Sequence, residues 1–186
     1  MLPLFEGLLA YLCGDLKKNI DWFNRCSEET PWYYKRFYDT LAVCTLFSAG
    51  YLQQFHFALG CIEFLRRTAT LTDDILSATL YEVNTCFLLL RKGDWDEALN
   101  HLDFLFSCTH PVENPKIFSS TVRGLALYHY LNGRLDAAYR ILRRETENAI
   151  AAGSPHSPFV DPYILDMLYG FTRAGYPETV SYTHLT

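Results

Sequence analysis

Five glycines stand almost evenly along the chain, at positions 14, 50, 93, 133 and 175, so successive gaps are 36, 43, 40 and 42. This regularity constrains the fold more than any other feature. Three of the glycines share their surroundings. Leu12-Cys13-Gly14-Asp15-Leu16, Arg91-Lys92-Gly93-Asp94-Trp95 and Leu131-Asn132-Gly133-Arg134-Leu135 each place a large apolar residue two positions after the glycine. An apolar pair or its remnant follows near the fifth and sixth positions, as in Ala98-Leu99 and Ala138-Tyr139. Ala49-Gly50-Tyr51-Leu52 is a looser copy with about three extra residues before Ala58-Leu59, and Ala174-Gly175-Tyr176 begins another. A period of about 40 residues is the length of one helical hairpin. A glycine between two helices closes the first in the left-handed conformation at low cost.

The segments on either side carry the 3–4 periodicity of amphipathic helices. Trp95, Ala98, Leu99, Leu102, Leu105 and Phe106 fall on one face, with Asp96, Glu97, Asn100 and Asp103 opposite. Leu135, Ala138, Tyr139 and Leu142 repeat the pattern, and Ile75, Leu76, Thr79, Leu80, Val83, Cys86, Phe87 and Leu90 form a helix before Gly93. Helix starts are marked by Thr30-Pro31, Asn114-Pro115 and Asp161-Pro162, each a capping side chain before a proline, and by Thr72-Asp73-Asp74. No alternating run or Asn-Gly turn speaks for strands. The predicted fold is all-α: an α-solenoid of stacked antiparallel hairpins over residues 1–178. The hairpins cover about 3–26, 31–69, 73–109 and 115–152, with a partial fifth over 162–178.

Composition excludes several alternatives. Apolar residues are 49% and charged residues 20%, which rules out intrinsic disorder. A net charge of −5 argues against a nucleic-acid partner. The six cysteines are widely separated, so no CxxC pair exists, and most lie in apolar runs. They read as free buried thiols in a reducing cytoplasm. Thr40–Ile62 carries no charged side chain and is long enough to span a membrane. Gln53, Gln54, His56 and the glycines at 50 and 60 instead favour two buried helices meeting near Gly50.

Catalytic and metal signatures are weak. The six histidines include no i, i+3 or i, i+4 pair and no HExxH, and Cys108 with His110 reads as a helix terminus. No GxSxG or glycine-rich phosphate loop appears. The expectation is no cofactor, no metal and no catalysis. Trp32-Tyr33-Tyr34-Lys35-Arg36-Phe37-Tyr38 is read as inter-hairpin packing. Arg140, Arg143 and Arg144, alternating with Glu145 and Glu147, are read as a solvated face. The loop Gly153–Pro158 is a linker between hairpins.

Lys92-Gly93-Asp94-Trp95-Asp96-Glu97-Ala98, followed by Leu102, closely resembles the inter-helix turn of tetratricopeptide repeats, and Asn132-Gly133-Arg134-Leu135-Asp136-Ala137-Ala138 with Leu142 is a second match. The period is longer than that of the family, which is about 34 residues. Longer, degenerate repeats of this kind are similar to the helical arrays of large bacterial transcription activators and signalling ATPases. The resemblance implies a non-catalytic interaction scaffold. Its first helices would line a concave surface for a protein, a peptide or another domain of the parent chain. The matching positions are Phe37, Cys44, Phe47, Asn84, Phe87, Arg91, Arg123, Leu127 and Tyr130. Alternative readings are a ligand-sensing or regulatory segment of a multidomain transcription regulator, and an all-α enzyme or enzyme subunit. At the C-terminus, Val180–Thr186 lacks a helix pattern and looks like a translated sequencing adapter. Residues 179–186 are expected to be a non-native or disordered tail on a window cut from a longer array.

Overall fold

The computed structural model describes residues 2–29, 35–71, 75–151 and 162–176. The expected starts at Thr30-Pro31, Thr72-Asp73-Asp74 and Asp161, the aromatics Trp32–Tyr34, the loop Gly153–Pro158 and the tail 179–186 lie outside the described residues. Every regular element among the described residues is an α-helix. In order they are α1 (Leu2–Leu12), α2 (Leu16–Glu29), α3 (Lys35–Tyr51), α4 (Phe55–Leu71), α5 (Ile75–Lys92), α6 (Trp95–Cys108), α7 (Pro115–Leu131), α8 (Leu135–Ala151) and α9 (Pro162–Arg173). The helices form two compact units, Met1–Lys92 and Gly93–Thr186. No described helix is long and apolar enough to cross a membrane, and the uncharged run 40–62 is divided between α3 and α4.

The inter-helix turns share one geometry. Gly14, Gly93, Gly133 and Gly175 all have positive φ, between +72° and +93°. Around Gly14 the chain closes with Gly14 N–H donating to Tyr11 O (2.9 Å) and Asp15 N–H to Ala10 O (2.8 Å). That is the Schellman pattern, which satisfies the last carbonyls of a helix. It recurs at Gly133 and Gly175. The expected turn at Gly50 is displaced. Gly50 lies buried within α3, and Gln53 takes the left-handed conformation instead, with φ +59°. Gln53 N–H donates to Gly50 O (3.2 Å) and Gln54 N–H to Ala49 O (2.8 Å). The left-handed residues therefore stand at 14, 53, 93, 133 and 175, a more even series than the glycines. The extra residues inferred after Gly50 simply lengthen α3.

The core sets this register. The fifth residue after each left-handed position is Asn19, Ala58, Ala98 or Ala138, and all four are wholly buried. The ninth is Phe23, Ile62, Leu102 or Leu142, again buried. A turn at Gly50 would pull Ala58 out of this series.

Helix starts differ from expectation in detail. Asp15 caps α2 through its side chain, which accepts Lys18 N–H at 3.2 Å. Asn114 precedes Pro115 at the start of α7, but its side chain caps nothing. Its carbonyl accepts Phe118 N–H and its own N–H donates to His110 O. With the backbone on both sides engaged, the turn is held without the amide.

In the first unit the core gathers Ile20 and Phe23 of α2, Leu41 and Leu46 of α3, Ile62 and Leu65 of α4, and Tyr81 and Leu88 of α5. Phe23 meets Phe57 edge-on at 6.4 Å, and Arg66 of α4 pairs with Glu82 of α5 at 2.7 Å. In the second unit Phe106 of α6 meets Phe118 of α7 at 6.1 Å. An aromatic cluster holds α9: Phe171 sits edge-on to Tyr130 of α7 and to Tyr139 of α8, both at 5.6 Å. Tyr176 completes it, stacking on Tyr139 at 4.8 Å and donating its hydroxyl to Asp136 at 2.6 Å. Such pairs each contribute about 0.5–1.5 kcal/mol beyond area burial.

Candidate functional site

The residues expected to line a binding surface fall on three helices, α3 and α5 in the first unit and α7 in the second. Asn84, Phe87 and Arg91 share a face of α5, and Arg123, Leu127 and Tyr130 share a face of α7. Both faces are largely internal. Phe47, Asn84, Phe87, Arg123 and Leu127 are buried, and Cys44 is half-buried. Arg91 is partly exposed, its guanidinium 4.9 Å above the ring of Tyr51. Tyr130 is partly exposed, with its hydroxyl donating to Asp166 O at 3.4 Å. Phe37 belongs to α3, and its side chain lies outside the described residues. Apolar spacing on a helix marks a face that is covered, and does not say whether neighbouring helices or a partner covers it.

Arg123 leads to chemistry that the sequence concealed. The repeat pattern puts it at a surface, but it is only 7% exposed, and its Nε lies 3.4 Å from Glu145 Oε2. Glu145 also accepts a hydrogen bond from the buried Ser119 hydroxyl. The carboxylate thus joins α7 to α8 from inside, and Glu145 does not belong to the solvated face assigned to it. Arg143 and Glu147 do pair on that exposed face, at 2.8 Å. The turn register provides the missing signal. The twelfth residue after each left-handed position is Cys26, Leu65, Leu105 or Glu145, all buried. A carboxylate stands where the other three hairpins place an apolar side chain. The neighbouring guanidinium and hydroxyl offset the desolvation of that charge.

A second buried polar contact joins the first two hairpins. Asn19 occupies the small-residue position of α2 and donates from Nδ2 to Gly7 O at 2.9 Å. Its Oδ1 accepts the hydroxyl of Ser48 in α3, also at 2.9 Å. At the same register the other hairpins have only alanine.

The thiols divide by environment. Cys26, Cys61 and Cys86 are buried as expected, whereas Cys13 and Cys108 are exposed, because they lie beside a turn and at a helix end. Burial pushes the thiols of Cys61 and Cys86 up to about 12 and that of Cys44 up to about 11, which keeps all three protonated. Burial, with the charge of Arg134, lowers the pKa of His129. His110 accepts Val112 N–H on Nδ1 at 3.2 Å, just beyond the end of α6. Among the described residues no three His, Cys, Asp or Glu side chains gather as a metal site.

Scans against protein-family models, curated proteins and solved structures give no match for this chain.

Proposed function

We propose that this chain is a helical-repeat scaffold of the tetratricopeptide-like kind, whose stacked hairpins present surface to another protein or to another domain of its parent chain. One observation carries the reading: a left-handed turn residue recurs at a nearly constant interval, and each of the first four is followed five positions later by a wholly buried small or amide residue. A hairpin of two amphipathic helices cannot cover its own apolar face, so units closed by a common turn gain stability by stacking on neighbours. Such a module acts by shape and surface, with no bond chemistry and no cofactor. The accessible apolar and cationic side chains, Phe64 and Phe104 at 42% and 55% exposure and the partly exposed Arg91, are the contact candidates within it.

A photo-crosslinking residue placed at Arg91 or Phe104 tests this in cells that express the parent gene, with Arg144 on the polar face of α8 as control. The reading expects discrete adducts, identifiable by mass spectrometry, from the first two positions and none from the third. Absence of adducts at all three positions, or the same adducts from all, would refute it.

A further inference from the structure

Four of the five left-handed residues lie inside a compact unit, and Gly93 does not. It opens the second unit directly after Lys92 closes the first, so the boundary divides the hairpin expected over 73–109. The residues beside it are tied inward, each to its own side. Before it, Leu88 belongs to a core built with α2, α3 and α4, and the Arg91 guanidinium lies 4.9 Å above the ring of Tyr51 in α3. After it, Trp95 meets Tyr128 of α7 edge-on at 6.2 Å, and Ala98 and Leu102 are buried. Between these anchors stand Lys92, Gly93 and Asp94. Lys92 is exposed, and a Cβ added at Gly93 would meet nothing within 4 Å. Glycine also passes between backbone conformations more easily than any other residue.

Each side is furnished to stand by itself. The first unit has its apolar core and the buried amide–hydroxyl contact of Asn19 with Ser48. The second has the aromatic cluster around Phe171 and the buried contacts of Ser119 and Arg123 with Glu145. At about 90 residues, each falls within the size range of domains that hold a single core.

We infer that the chain is two separately folding modules joined at Lys92–Gly93. The left-handed residue that elsewhere lies within a unit here carries the chain from one core to the next. Cores that share no cooperative structure unfold as separate transitions. The contact candidates are divided accordingly, with Phe64 and Arg91 on the first module and Phe104 on the second, so each module can engage a partner without the other.

Scanning calorimetry of the full chain tests it. Leu46→Ala removes core volume from the first unit and Leu142→Ala from the second, and both side chains are fully buried. Each variant should lower one part of the heat absorption by roughly 4 °C or more and leave the other part where it stands. Where an alanine variant unfolds its unit outright, Ile62→Val and Ile117→Val make the same comparison with shifts of about 1 °C or more. Gly-Ser-Gly-Ser inserted between Lys92 and Gly93 should move neither part, since that joint closes neither core. A single transition that either variant lowers as a whole would overturn the inference. So would an insertion that lowers the stability of either unit.

Discussion

Gln53 holds a left-handed conformation that the chain elsewhere assigns to glycine, so replacing it should stabilise the protein. For a residue with a Cβ, that conformation costs roughly 1–2 kcal/mol. Gln53 is exposed, so removing its side chain forfeits no packing. Glycine returns about 0.4–1 kcal/mol of that gain through greater freedom of the unfolded chain. The net expectation for Gln53→Gly is a gain of about 0.5–1 kcal/mol. The mirror experiment is Gly133→Ala. An added Cβ there meets nothing within 4 Å, so its cost is conformational alone. The same two terms with signs reversed give a loss of about 0.5–1 kcal/mol. Urea denaturation followed by circular dichroism reads both directly. In a thermal scan, each kcal/mol corresponds to about 2–4 °C for a chain of this size. The two sites lie in different units and share no hydrogen bond, so the double variant should return close to wild type. If Gln53→Gly destabilised the protein while Gly133→Ala had no effect, the shared turn geometry, and the register built on it, would be wrong.

Other expectations follow from the buried chemistry. Glu145→Leu leaves the Arg123 charge buried opposite an apolar side chain and should cost about 3–5 kcal/mol in denaturant titrations, whereas Arg123→Leu/Glu145→Leu should recover most of that loss. An Ellman titration of the native protein should label Cys13 and Cys108 readily, and Cys61 and Cys86 only after denaturation, given their exposure and raised pKa. His129 has a lowered pKa in the folded state, so the unfolded chain binds the proton more readily. Its contribution is complete above about pH 6.5 and is lost as pH falls below that value toward the folded pKa. Denaturation midpoints should therefore drop on acidification less steeply in His129→Gln than in wild type. Gly170→Ala would drive a methyl group into the Tyr130 ring and should loosen α9, seen as faster amide exchange over Leu168–Arg173.

The helices were legible because helical periodicity and turn glycines are local signals. The turn after α3 was not, because its left-handed residue is glutamine; the nearby Gly50 drew attention to the wrong position. Only the burial of Ala58 in line with Ala98 and Ala138 restores the register. The candidate surface was read less well. Phe47, Phe87 and Leu127 look the same in sequence whether a helix or a partner covers them. Glu145 sits among arginines that are solvated, so composition hid its inward orientation. Its position twelve places after Gly133, matching Leu65 and Leu105, would have revealed it once the turns were aligned.

The contact between Asn19 and Ser48 gives the packing of α2 on α3 a chemical selectivity that an alanine at position 19 would lack. Ala58, Ala98 and Ala138 are as deeply buried but carry no side-chain group that needs a polar partner. Asn19 accepts only a neighbour that brings a hydroxyl to the same spot, since otherwise a buried carboxamide oxygen would go unsatisfied. The first and second hairpins are thereby keyed to each other. A recombined chain that placed any other segment against α2 would have to supply a hydroxyl where Ser48 now stands.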